Sequence, residues 1–142
     1  MNHWLLEDTI YSPQELNDKE VYGFVYLIEN LTNGRKYIGK KFFWSAKTKQ
    51  VNKKKKRYKV ESDWKDYYGS SAELGIEIAN IGKESFKRTI LHLCKTKAEC
   101  AYLELKEQIE RNVLLSDEYY NAWIQVKVRK SHLKHLKKVV YN

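Results

Sequence analysis

The sequence predicts an α+β domain, α/β sandwich-like in character, in which a small three-stranded, mainly antiparallel sheet is flanked by helices. Three observations predict it. Val21 to Lys40 carries two runs rich in Val, Ile, Tyr and Phe around Asn33-Gly34; such runs favour a pleated, half-buried surface, and Asn-Gly supplies the positive-φ residues of a tight connection. Phe86 to Cys94, reading FKRTILHLC, is a third β-rich run. Behind Thr96 the spacing of apolar residues becomes helical, so strand and helix alternate along one short chain.

The first twenty residues form an extension with one short helix at most, Ser12-Pro13 acting as N-cap and first-turn pair ahead of Gln14 to Asn17. Strands follow at Val21–Glu29 and Lys36–Lys40. If the turn is centred between Leu31 and Thr32, Tyr26 falls opposite Tyr37 and both phenols leave one face about 5 Å apart. If Asn33-Gly34 is itself the two-residue loop, Tyr37 faces Asn30 instead, and spacing alone does not choose. Residues 41–61 have no clean period and read as a long basic loop with at most a helical turn, and loops of that length are commonly functional or disordered. Ser71 to Ile81 reads as a helix ended by Gly82, with Leu74, Ile76, Ile78 and Ile81 near one face. Thr96 caps a second helix, Lys97 to Asn112, in a capping box with Glu99 and with an apolar stripe of Ala98, Ala101, Tyr102, Leu105 and Ile109. Tyr119 to Trp123 closes a domain spanning 21–123, and 124–142 is a basic tail, helical over Ser131 to Tyr141.

At 142 residues the chain fits one domain able to fold without staples, and 42% apolar with 32% charged content is that of a globular, soluble protein. Its apolar runs fall far short of the roughly 20 residues that cross a bilayer, so no membrane partner is expected. The opening MNHWLLEDTI lacks the basic n-region of a signal peptide. Cys94 and Cys100 read as reduced, partly buried thiols, and the expected location is cytoplasmic. His132 and His135 have no third metal ligand in view; a basic helical tail is the preferred reading.

The formal charge of +9 and pI near 9.4 point to a polyanion. Ten Lys or Arg and no acid lie between Lys40 and Lys59. Lys47, Lys53, Lys54, Lys55, Lys56, Arg57 and Lys59 are candidate phosphate contacts, joined by Arg129 and Lys130 in the tail. Each such contact releases counterions and gives salt-sensitive binding with little sequence information. A solvated loop that aids solubility is the bland alternative. Phe42, Phe43, Trp44, Tyr58 and Trp64 are interleaved and can stack or anchor the loop, although core packing suits each one singly.

Phe24-Val25-Tyr26, ten residues, then Tyr37-Ile38-Gly39 resembles the hairpin of the GIY-YIG nucleases, with Gly23 one place early and Phe24 in its slot. Trp64 to Ser71 (WKDYYGSS), Ile81 to Phe86 (IGKESF), the acidic helix holding Glu104, and Tyr120-Asn121 follow in the order of phage-type members, including homing-endonuclease-like ones. The resemblance covers Val21 to Trp123. It implies a metal-dependent endonuclease acting on DNA in a bacterial or phage-infected host cytoplasm.

Phosphodiester hydrolysis needs an activated water, a cation on the scissile phosphate and stabilisation of the leaving oxygen. By the resemblance, Tyr26 is the phenol nearest the attacking water and Tyr37 the second phenol; ordinary cross-strand packing is the alternative for both. A phenol deprotonates water only if its pKa is lowered or its proton is relayed, and nearby lysines supply that push. Lys36 and Lys40 alternate away from Tyr37, so Lys41 is at least as good a helper. Glu104, at the margin of the apolar stripe, is the implied holder of Mg²⁺ (or Mn²⁺), with Glu107 second. Asn121 matches a late asparagine that supports the centre. The family's clamp arginine, expected near position 47, is a lysine here; Arg57 is the first choice for that role and Lys47 the second, although a lysine lacks the bidentate fork. Ser70, with Ser71, offers hydroxyls to phosphate at a helix N-terminus, while a plain N-cap at Ser71 explains the same residues. With no separate DNA-binding domain in view, specificity is modest or arises by self-association into a homodimer or higher homo-oligomer. A non-catalytic nucleic-acid-binding protein on this scaffold, its clamp lost, is the alternative.

Overall fold

The computed structural model describes residues 2–17, 20–125 and 130–133. Two sheets and two helices make up an α+β fold. The main sheet has five strands, not three: β1 (Trp4–Leu6), β2 (Thr9–Ile10), β3 (Gly23–Asn30), β4 (Lys36–Phe42) and a long strand, Phe86–Cys94, in the order β2, β1, Phe86–Cys94, β3, β4. The antiparallel trio built on the hairpin is present. The first residues add two strands that were not expected, β1 running parallel to Phe86–Cys94, and no helix forms from Gln14 to Asn17. They escaped notice because Trp-Leu-Leu is too short to display a period. Their connection also sets Glu7 and Asp8 at φ 50° and 65° without a glycine.

The supposed loop 41–61 is the second sheet. Strands β5 (Trp44–Val51) and β6 (Lys54–Glu61) pair antiparallel through a two-residue turn, Asn52-Lys53, at φ 50° and 62°. Both central residues with positive φ make the tight connection whose twist matches the strands. No apolar alternation announces this ribbon because nearly all of it is exposed on both faces. Only its root is anchored, through Trp44 and through Phe43 and Trp64 in the core. We number the strand Phe86–Cys94 β7.

Alternation along β3 divides the core. Phe24, Tyr26 and Ile28 face one side, with Trp4, Phe43, Trp64, Phe86, Ile90 and helix α1 (Ala72–Ile81) through Leu74. Val25 and Leu27 face the other, with Ile38, Val113, Leu114 and helix α2 (Lys97–Glu110) through Cys100. The caps fall where the sequence put them: Ser71 Oγ accepts from the Leu74 N–H, Thr96 Oγ1 from the Glu99 N–H, and Gly82 ends α1 at φ 103°. The rotation of α2 differs from expectation. Tyr102 and Ile109 face outward at 68% and 55% exposure, and the helix turns Cys100, Glu104 and Gln108 to the sheet. Among the described residues no helix is long and apolar enough to cross a membrane.

Candidate active site

The site is built around β4, one of the two edge strands of the five-stranded sheet. Tyr26 stands opposite Gly39 and Tyr37 opposite Ile28, a register midway between the two anticipated ones. It follows from a four-residue turn, Leu31 to Gly34, closed by the Asn30 N–H on the Arg35 carbonyl at 2.8 Å, with Gly34 at φ 77°. Asn30 Oδ1 accepts from the Thr32 N–H and holds the turn. A two-residue slip from either expected register preserves side-chain alternation, so both phenols still leave one face. They are diagonal neighbours, ring centroids 6.1 Å apart.

Glycine at 39 makes this possible: a Cβ there would stand 2.4 Å from the Tyr26 phenol oxygen. Gly69, at φ 88°, roofs the pair in the same way, a Cβ meeting Tyr37 at 3.2 Å and the Tyr26 oxygen at 3.3 Å. A bulge between β3 and β7 at Val25/Tyr26 re-aims the strand at this point. The Tyr37 hydroxyl and Ser70 Oγ are 3.1 Å apart. Tyr67 meets Tyr26 edge to face, centroids 6.0 Å apart. Burial pushes the Tyr26 phenol well above its ordinary pKa, reinforced by Tyr37, Tyr67 and Glu104; burial also raises Tyr37, against the Ser70 hydrogen bond. Both are therefore neutral phenols at neutral pH.

Lys41 shares the tyrosine face, as alternation requires, and its ammonium sits 4.1 Å over the Tyr67 ring and 2.6 Å from Asp63 Oδ1. That hydrogen bond and charge hold the exposed Asp63 carboxyl below its usual range. Lys40 points to the opposite face and donates to Glu104 Oε1 at 3.0 Å. Glu104 comes from α2, yet it borders the same cavity of about 640 Å³ as Tyr26, Tyr37, Gly39 and Lys41, because the cavity wraps around the outer edge of β4.

That edge is sealed by Asn121. Its Oδ1 accepts from the Ile38 N–H at 3.1 Å and its Nδ2 donates to the Ile38 carbonyl at 2.8 Å, so one buried amide replaces a strand partner between Tyr37 and Gly39. Residues 118–120 run alongside: the Lys36 N–H donates to the Glu118 carbonyl and the Tyr120 N–H to the Lys36 carbonyl, each at 2.7 Å, with Tyr119 between them.

A divalent cation can be tested against the donors present. Gln108, one turn beyond Glu104, lines the cavity and is 5% exposed; its amide nitrogen donates to the Ile38 carbonyl at 3.3 Å while its Oε1 is buried with no hydrogen-bond partner. A carboxylate beside an unsatisfied amide oxygen is a hard-oxygen set that fits Mg²⁺ or Mn²⁺. Among the described residues no group of three or more His, Cys, Asp or Glu offers a fuller cage. Glu107, the second choice, turns elsewhere: Arg111 and His92 bond it at 2.9 and 2.7 Å and, against its burial, lower its pKa.

The arginine choice is not brought in. Arg57 pairs across the ribbon with Thr48, neither it nor Lys47 borders the cavity, and among the described residues no arginine does. Lys53, Lys54, Lys55, Lys56 and Lys59 are likewise on the exposed ribbon, away from the phenols. Lys130 donates to the Ser116 and Tyr119 carbonyls, which ties it to the seam beside β4. Arg129 and His135 lie outside the described residues. Sequence reasoning had Tyr67 in view only within the segment Trp64 to Ser71, and it missed Gln108. For Gln108 the one signal was its i, i+4 spacing from Glu104.

A sequence model described as "Putative endonuclease segE, GIY-YIG domain" matches residues 4–124. The chain is 36% identical over 101 residues to "Putative endonuclease segE" of Enterobacteria phage T4, an alignment covering 71% of this chain and 40% of that protein. It therefore spans about two fifths of the relative's length. No solved structure matches significantly. With residues 4–124 matched and the paired tyrosines beside Gly39 in place, the chain belongs to the phage-type GIY-YIG endonuclease family.

Proposed function

We propose that the chain hydrolyses phosphodiester bonds in DNA, with Glu104 holding a divalent cation, Mg²⁺ or Mn²⁺, and Tyr26 and Tyr37 positioning the attacking water. One observation carries the reading: two phenols from one face of the sheet and a helical carboxylate from the other border a single cavity around Gly39. The cation, when bound, supplies charge against the developing negative charge on the phosphate. Glu104 and Gln108 are the residues to hold it. Tyr26 and Tyr37, kept neutral by burial, each have lone pairs to receive a water hydrogen and a hydrogen to give to a phosphate oxygen. Lys41 exchanges its exposed partner Asp63 for a phosphate oxygen. Asn121 positions both phenols through Ile38 and touches no reacting atom.

Supercoiled plasmid incubated with Mg²⁺ tests the reading. Nicked or linear product is expected, and Glu104→Ala should abolish it while leaving binding intact. The absence of an arginine from the cavity lining, among the described residues, favours a second reading, a non-catalytic binder on the same scaffold. That reading requires plasmid to be bound yet remain supercoiled with either metal.

A further inference from the structure

The geometry points to the β5–β6 ribbon as a major-groove element for duplex DNA whose two faces have separate tasks, Thr48, Gln50, Lys55 and Arg57 meeting base edges while Lys47, Lys49, Lys54 and Lys56 hold phosphates. It deepens the nuclease reading and rests on it for the choice of DNA.

The register divides the ribbon without ambiguity. Pairs Lys47↔Tyr58, Lys49↔Lys56 and Val51↔Lys54 share one face, and Thr48↔Arg57 and Gln50↔Lys55 share the other. The first face carries ammonium groups and one tyrosine. The second carries an arginine, a glutamine and a threonine beside Lys55 and Lys59, and these are the side chains whose donors and acceptors match guanine, adenine and the thymine edge. Eight Lys or Arg and no acid lie between Lys47 and Lys59.

Shape agrees with this division. Eight-residue strands are about 25 Å long and paired backbones sit about 5 Å apart, so with side chains the ribbon suits a groove about 12 Å wide. The root lies at the cleavage cavity, which Trp44, Ser45 and Ser62 border. Contacts would therefore extend about seven base pairs from the cut. Single strands are bound on rows of aromatic rings, and between Ala46 and Lys59 the ribbon has only Tyr58. The deep, narrow major groove of double-stranded RNA excludes such a ribbon.

The test uses the full chain and a randomised duplex library, with Glu104→Gln to prevent cutting. Methyl green, which occupies the major groove, should compete with binding, and netropsin, which occupies the minor groove, should not. Lys47→Ala with Lys49→Ala should lower the slope of log K against log salt by about 2 and keep the selected sequence preference. Arg57→Ala with Gln50→Ala should flatten that preference by about tenfold or more at the positions read. These positions are exposed, and an unchanged thermal midpoint certifies each variant as folded. Competition by netropsin alone, or an unchanged salt slope, overturns the assignment. Cleavage that persists without any effect of ribbon variants would leave the nuclease reading standing and the ribbon assignment lost, whereas groove competition without cleavage by the unmodified chain would do the reverse.

Discussion

Gly39 lies directly across the strand pair from Tyr26, and the phenol occupies the space that any side chain at 39 would need. Gly39→Ala should therefore displace the Tyr26 ring, costing about 1–3 kcal/mol of stability as an overpacked core does and at least tenfold in plasmid nicking. Tyr26→Ala leaves a cavity in the core, but it should cost less stability in the Gly39→Ala background than in the parent, and it should not restore activity. Equal costs of Tyr26→Ala in the two backgrounds would contradict this.

Asn121 supports the phenols from behind. Asn121→Ala leaves the buried Ile38 N–H without a partner, a loss of about 1–3 kcal/mol in denaturant titration. Asn121→Asp keeps an acceptor for the N–H but turns a second oxygen toward the Ile38 carbonyl, so it should not rescue stability.

Lys40 is paired with the carboxylate that the proposed cation would need. In Lys40→Ala the mostly buried Glu104 loses its counter-charge, so the variant should melt lower than the parent without metal. Saturating Mg²⁺ should then raise its midpoint more than it raises the parent's, because binding to the folded state alone adds stability. Equal shifts in both proteins would remove Glu104 as the ligand.

Burial of Tyr26 has a consequence at alkaline pH. Its folded pKa lies above the unfolded value near 10, so the folded chain retains the proton longer. That stabilisation is complete below the unfolded pKa and is lost as pH rises from there through the folded one. Tyr26→Phe should accordingly lose less stability between pH 8 and pH 11 than the parent does, as followed by denaturant midpoints.

Strands β3, β4 and β7 and both helix caps were legible because each signal is local: β-rich composition, Ser71 before α1, Thr96 before α2. The paired phenols were legible through their spacing, although the register was not, since it depends on how Asn30 folds the turn. The ribbon was illegible because neither face is apolar and its turn is Asn52-Lys53 without glycine. The rotation of α2 was not legible from its apolar spacing. Counting apolar residues chose Tyr102 and Ile109 for the inside, whereas the cavity takes Glu104 and Gln108. Polar residues facing inward are the kind of local conflict expected where a sequence serves chemistry over packing.

The amide of Asn121 reaches back across 83 positions to hold Ile38. During synthesis, both phenols leave the ribosome long before the group that fixes their strand, and domains assemble as units once their last pieces arrive. A half-made chain consequently has the two phenols without the amide that aligns their strand, and the surroundings of Gly39 are complete only when translation has passed Asn121.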